Sequence, residues 1–243
     1  MIIVNADDWG RSRAETDAAL NCFTAGRISS VSAMVFMEDS ARAAELAKET
    51  GIDVGLHLNL GESFSGNDVP HQLKVQQERI VGFLRGGRYH QLLYHPLLRQ
   101  AFRNVYDAQS AEFERLYGKP PSHIDGHRHL HLCSNVLLDG IIPSGQRVRR
   151  SFSFWPGEKN AFNRAYRRFV DWKLSRKYRL TDYFFALSQY LQHDRLIRIS
   201  HLAREASVEL MTHPAIRTEQ AFLASDRFGA FLQELKLDTY ASV

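Results

Sequence analysis

Cysteine is scarce in this chain: Cys22 and Cys133 are the only two among 243 residues. Two isolated thiols exclude a disulfide framework and a four-cysteine zinc site, and they fit a reducing compartment. Long apolar runs are missing too, since no stretch approaches the roughly 18 residues that a bilayer-spanning helix needs. Nothing at the N-terminus has the basic segment, apolar stretch and small-residue cleavage site of a secretion signal; the chain runs directly into Ile2-Ile3-Val4. The expected location is therefore the cytoplasm. Repeats, low-complexity tracts and Gly/Ser linkers are absent, so a single domain over residues 1–243 is expected.

What remains is an ordinary globular composition, 44% hydrophobic and 24% charged. The first sixty residues read as strand, helix, strand, helix, strand. Ile2–Ala6 is an apolar run. Ser12 stands three residues before Glu15, the spacing of a capping box, and opens a helix that Gly26 closes. Residues 28–36 read as a second strand, 40–50 as a helix closed by Gly51, and 54–58 as a third strand. Strands separated by helices pair in parallel through right-handed crossovers. Residues 61–92 are polar with weak periodicity and read as an insertion after the third strand. A long helix is expected over 97–117, a strand over 122–132, a basic helix over 160–178, a late strand over 208–212, and a largely helical tail over 218–237. The fold class is α/β, a (β/α) barrel.

Four short segments hold the reactive side chains: Asn5–Gly10, Gly55–Asn59, His123–His131 and Glu209–Pro214. Each falls at or just after the C-terminal end of an expected strand, where parallel barrels collect their reacting groups. In the third segment His123, Asp125, His127, His129 and His131 occupy alternate positions. A regular strand would project all five from one face. Ionisable groups packed so closely are costly unless they bind a cation or one another, and imidazole with carboxylate suits borderline divalent metals. The competing account is a solvated edge strand with incidental histidines. Asp7 and Asp8 can serve one site only where the strand ends and turns, which Gly10 permits; the alternative is a pair of helix-capping aspartates. His57 and His213 carry little information singly. His213, before Pro214, is biased toward extended backbone at a strand end.

The basic residues from Arg147 to Arg179 are opposed only by Glu158 and Asp171. One reading is an amphipathic helix with Phe162, Tyr166, Phe169 and Trp172 turned inward and its arginines solvated. Another is a face for anionic lipid headgroups or nucleic acid. A binding module built on residues 147–179 is thus one alternative function, and a metal phosphoesterase on a barrel scaffold, which would hold two or three ions, is another.

The motifs VNADDWG (4–10), GLHLNL (55–60), HIDGHRHLH (123–131) and ELMTHPA (209–215) together resemble the YdjC-like carbohydrate deacetylases, the group that includes chitooligosaccharide and hopanoid-biosynthesis-associated deacetylases. They recur in family order over nearly the whole chain. The resemblance implies a distorted (β/α) barrel related to the polysaccharide deacetylases. It implies an enzyme that removes the acetyl or other acyl group from the amide of an amino sugar, its oligosaccharide or a glycolipid. It further implies one divalent ion per chain, Mg2+ or Zn2+, held by Asp8, His57 and His127, with Asp7 as the catalytic carboxylate and His213 as the catalytic histidine. Asp125, His123, His129 and Arg147 would orient the ligands or the substrate. The implied partners are a carbohydrate, lipid-linked in one version with peripheral contact to an anionic membrane, and a second copy in a homodimer; nucleic acid is not expected. Trp9 stands where a smaller aromatic is more usual, and residues 144–193 follow the family pattern poorly apart from Arg147.

Overall fold

Side-chain alternation and apolar runs build the expected framework in the computed structural model, which describes every residue except Pro156, Tyr190 and Gln192. Six strands form one sheet: β1 (Ile2–Trp9), β2 (Ser30–Ala33), β3 (Asp53–Leu58), β4 (Ile124–Gly126), β5 (Tyr183–Ala186) and β6 (Val208–Thr212), in the order β4-β3-β2-β1-β6-β5. β1 and β6, β3 and β4, and β5 and β6 pair in parallel, with Ile2 opposite Val208 and His57 opposite Asp125. This is the α/β architecture of the (β/α) barrel class. Among the described residues no helix is long and apolar enough to cross a membrane.

The chain divides into two compact units. The first comprises Met1–Asp7, Asp17–Val31 and Ser144–Val243. It contains helices α6 (Ala161–Ser175), α7 (His193–Glu205), α8 (Arg217–Leu223) and α9 (Asp226–Gln233). Its core includes Phe184, Ala186 and Met211, with Phe152 packed on them. The second comprises Asp8–Thr16 and Ser32–Pro143, and contains α2 (Ser40–Thr50), α3 (His71–Arg85), α4 (Arg99–Tyr117) and α5 (Ser134–Asp139). Helix α1 (Arg13–Thr24) starts where Ser12 caps it: the hydroxyl accepts from Ala14 N at 3.2 Å and also contacts Glu15.

Several elements depart from the sequence reading. The second strand is shorter than expected, Ser30–Ala33, and Phe36 beyond its end is left-handed with φ +60°. The segment 61–92, read as a weakly periodic insertion, contains α3, whose buried Leu73, Gln77, Ile80, Val81 and Leu84 follow helical spacing. β5, α5 and α7 were not expected; the first two are too short to show a period. The largest correction concerns the strand expected over 122–132. Extended pairing stops at Gly126, and His127–Leu132 is a 3-10 turn in which Arg128 (φ +56°) and His129 (φ +59°) are left-handed. The five alternating side chains therefore do not share one strand face.

The basic helix is also inverted relative to the inward-facing reading. α6 buries Val170 and Leu174. Phe162, Tyr166, Phe169 and Trp172 are outward, 83%, 40%, 57% and 53% exposed.

Candidate metal centre

Within the second unit, β3 delivers His57 to the end of the sheet and β4 delivers Asp125 beside it. His57 Nδ1 lies 2.8 Å from Asp125 Oδ1, and both residues are buried. A buried carboxylate accepts, so Nδ1 carries the proton and Nε2 of a neutral ring presents its lone pair. Asp125 Oδ2 accepts from the Ser32 hydroxyl at 2.9 Å, and that oxygen lies 2.9 Å from His123 Nε2. Since the Ser32 proton is already given to Asp125, His123 donates to Ser32. The chain His123–Ser32–Asp125–His57 thus fixes the ring that faces the site. Gly55 makes room for it: a Cβ there would stand 2.2 Å from His123 Cε1.

Asp8 is a left-handed residue (φ +67°), a conformation uncommon for non-glycine residues. It interrupts the strict alternation of β1, and Gly10 (φ +82°) continues the turn, with no space for a side chain against the Met34 carbonyl. Trp9 is wholly buried and donates to the Ala43 carbonyl at 3.1 Å. Asp8 Oδ1 lies 3.0 Å from His127 Nδ1 and 3.4 Å from His57 Nε2. Burial raises the Asp8 carboxyl pKa, but hydrogen bonds and charge from His127 and His57 outweigh it and hold that group well below the usual carboxylate range.

His127 begins the 3-10 turn after β4 and is buried. Its Nε2 has no hydrogen-bond partner among the described residues, and the nearest acid, Glu62 Oε2, is 3.6 Å away. Glu62 is in turn gripped by Arg11, Nε to Oε1 at 2.8 Å and Nη2 to Oε2 at 3.0 Å. The loop carrying Glu62 is fixed by Asn59, whose Oδ1 accepts from Gly61 N and Glu62 N. Gln109 and Gln77 tie the Asn59 backbone from below. Among residues the sequence reading passed over, Ser32, Arg11 and Glu62 all belong to this site.

Ligand atoms of Asp8, His57 and His127 lie within 4.8 Å of one another, close enough to hold one metal ion. The chemistry fits a cation. With Nδ1 of His57 committed to Asp125, its Nε2 lone pair and an Asp8 oxygen face each other, a repulsion relieved only by a second ring proton or by a positive ion between them. The unpartnered buried nitrogen of His127 is a further donor. His123 lies behind His57 and not at the cluster. His129 is half-buried in the turn, with its ring 6.4 Å from that of His131.

In the first unit, Asp7 is buried and held on three sides. Arg149 Nη1 and Nη2 donate to its two oxygens at 2.7 Å each, and Asn5 Nδ2 donates to Oδ1 at 2.9 Å. Arg149 also gives Nε to Glu209 Oε1 at 2.5 Å. The guanidinium is wholly buried and rests on the Phe184 ring. A carboxylate has about four acceptor positions; the described residues use two on Oδ1 and one on Oδ2, leaving one among them open on Oδ2. Arg147, the arginine singled out in the sequence, is elsewhere: it donates to the carbonyls of Val243 and Ala241. The arginine that touches Asp7 is two residues on. His213 follows β6 directly, its backbone N–H bound to Glu219 at 2.8 Å.

Fold and cluster together define an α/β protein with a buried Asp-His-His centre at strand ends. The chain belongs to the YdjC-like protein family, whose model matches residues 1–236. It is 30% identical over 228 residues to a chitooligosaccharide deacetylase of Serratia marcescens, spanning 88% of this chain and 81% of that one. It is 32% identical over 137 residues to a carbohydrate deacetylase of Mus musculus, spanning 56% of this chain and 44% of that protein. The chain thus spans about half the length of several curated relatives it matches. A solved structure from Enterococcus faecalis V583, named for cellobiose-phosphate cleavage, superposes with TM-score 0.65 at 17% identity, over 99% of this chain and 97% of that one. The Xyl-CE4 domain of a multidomain xylanase from the Trinervitermes trinervoides hindgut metagenome superposes with TM-score 0.52 at 10% identity, over 99% and 87%. These two likenesses support the fold.

Proposed function

We propose that this protein is a metal-dependent carbohydrate N-deacetylase, a hydrolase that removes an acetyl or other acyl group from the amide of an amino sugar. The observation that carries the reading is the buried Asp8–His57–His127 cluster, in a chain whose relatives are named carbohydrate and chitooligosaccharide deacetylases. One Mg2+ or Zn2+ per chain would be held by those three residues, in a single domain. A divalent ion there supplies Lewis acidity toward an acyl oxygen and water.

The chain's own groups supply positioning and proton transfer. Asp125 holds the His57 ring through Nδ1 and leaves Nε2 facing Asp8. Asp7 takes a proton from the attacking water at the open position on Oδ2, while Arg149 fixes the plane of the carboxylate. The role of His213 rests on the family resemblance: it gives a proton to the departing amine nitrogen, so that the products are a carboxylic acid and a free amino sugar. Asp7→Asn is expected to abolish turnover and keep the metal; His127→Ala is expected to lose both. Metal analysis of the purified protein, combined with amine release from a panel of N-acetylated sugars, tests this. Near wild-type turnover in Asp7→Asn would remove the base assignment, and two or three ions per chain would favour phosphoesterase chemistry instead.

The outward aromatic and basic residues of α6 support a lipid-linked version of the substrate, met at an anionic membrane by a cytoplasmic homodimer. Cosedimentation with anionic vesicles at low and high salt tests that version, and absence of binding at low salt removes it.

A further inference from the structure

The first unit contains a cavity of about 260 Å3 between α6, β5 and the segment around residues 150–155. Its walls are aromatic and its charge is positive. Tyr183 and Phe185 project from one face of β5, their rings parallel to within 6°. Trp155 stacks on Phe185 with an interplanar angle of 13°, and its buried Nε1 has no hydrogen-bond partner among the described residues. Arg164, Arg167 and Arg168 enter from α6.

The charges do not balance within the protein. Among the described residues Asp171 is the one acid in the lining, and it is committed: Oδ2 to Arg150 at 2.7 Å, Oδ1 to the Ser151 N–H at 2.9 Å. Arg167 donates Nε to the neutral Asn163 and otherwise lies over the rings of Phe154 and Phe152, at 4.9 and 5.8 Å. Among the described residues no carboxylate is within ion-pair distance of Arg164, Arg167 or Arg168. Desolvation of the half-buried Arg167 lowers its pKa, and the charge of Asp171, already bound to Arg150, offsets this only in part. Arginine forks match phosphate oxygens, and aromatic faces stack on rings.

We infer that this cavity is a recognition site for a phosphate ester, the phosphate meeting the Arg164, Arg167 and Arg168 guanidiniums and the group it esterifies lying on the Trp155, Tyr183 and Phe185 wall. The site stands on binding alone, so it survives or fails without reference to deacetylation. The phosphate has two sources, a soluble ester or a lipid headgroup, and the exposed aromatics of α6 do not decide between them.

Calorimetric titration of the whole chain with phenyl phosphate is the test, with inorganic phosphate and phenol as partial probes. Phenyl phosphate should bind more tightly than either. Arg167→Ala and Arg168→Ala should each weaken it about tenfold or more, as expected for loss of a charge-assisted contact. Arg217→Ala, on exposed α8, should leave it unchanged. Arg167→Lys keeps the charge without the fork and separates recognition from damage to the fold; it should retain part of the affinity and all of the thermal stability. Vesicles containing phosphatidic acid, compared with phosphatidylcholine alone, identify the source: arginine-dependent retention assigns a lipid headgroup, and soluble binding without retention assigns a free ester. Failure of every phosphate probe to bind, or binding indifferent to Arg167 and Arg168, overturns the inference.

Discussion

Arg149→Met should destabilise this protein by about 4 kcal/mol, within the 3–5 kcal/mol typical of breaking a buried ion pair by removing one partner. The side chain is wholly buried and gives two bonds of 2.7 Å to Asp7 and one of 2.5 Å to Glu209. Three charge-assisted bonds at about 1.5–3 kcal/mol each would sum to more. Relaxation and water entry reduce that sum, because Asp7 keeps its bond from Asn5. Methionine fills much of the same volume, so the loss reports two stranded carboxylates and not a cavity. For a chain of this length, about 4 kcal/mol corresponds to a fall in Tm of roughly 8–16 °C. Urea unfolding followed by circular dichroism measures it, with Arg147→Met as the comparison. Among the described residues the half-buried Arg147 side chain bonds only the carbonyls of Val243 and Ala241, so its replacement should cost about 1 kcal/mol. Adding Glu209→Gln to Arg149→Met removes one stranded charge and should restore part of the loss. Equal costs for the two arginines would refute the reasoning.

Gly55→Ala places a methyl group 2.2 Å from the His123 ring; it should cost about 1–3 kcal/mol by overpacking and weaken divalent-metal affinity about 10–100-fold by disturbing the support of His57, read by metal titration. Asp238 is held by Lys236, the Thr239 N–H and the Ser242 hydroxyl, which lower its carboxyl to about 2. A lowered folded-state pKa means stabilisation that is complete above the unfolded value of 3.8 and lost as pH falls through about 2, so protection of the Thr239 amide in hydrogen exchange should decline across that window; protection unchanged there would exclude the linkage. Burial pushes the Cys133 thiol up to about 11 and raises Cys22 as well, so neither should react with a disulfide reagent at neutral pH until the chain is unfolded, and rapid modification of the native protein would contradict that placement.

Local pattern carried much of the framework. β6 over 208–212 and α2 over 40–50 have the expected bounds, and Gly51 closes α2 in a left-handed conformation, as a C-terminal glycine should. Period failed where side chains and backbone disagree. Alternation from His123 to His131 suggested one long strand, but Gly126 tolerates the close approach of His131, whose backbone N would be 2.9 Å from a Cβ there, and the chain coils instead. α6 misled for another reason: an amphipathic pattern gives two faces but does not say which one is buried. Val170 and Leu174 are buried and the larger aromatics are not, so size was a poor guide to orientation.

At the site, the residue types were legible and their connections were not. Asp8, His57 and His127 stand out in sequence because each sits at a strand end beside apolar residues, and the structure brings their donor atoms together. Arg149 contacts an aspartate 142 residues away, and no local periodicity encodes that separation. Arg147 and Arg149 share the same spacing in an extended segment, so pattern alone cannot choose between them. One signal was available. Glu209 lies inside β6, a strand whose five residues are all buried, and Asp7 lies near the end of β1, the strand that pairs with it. Two acids in neighbouring buried strands require a buried cation. The nearby run Arg147-Val148-Arg149-Arg150 offers three, and of these the structure buries Arg149, between the two acids. Demand for charge balance points to an arginine of this run, and the fold decides that it is Arg149.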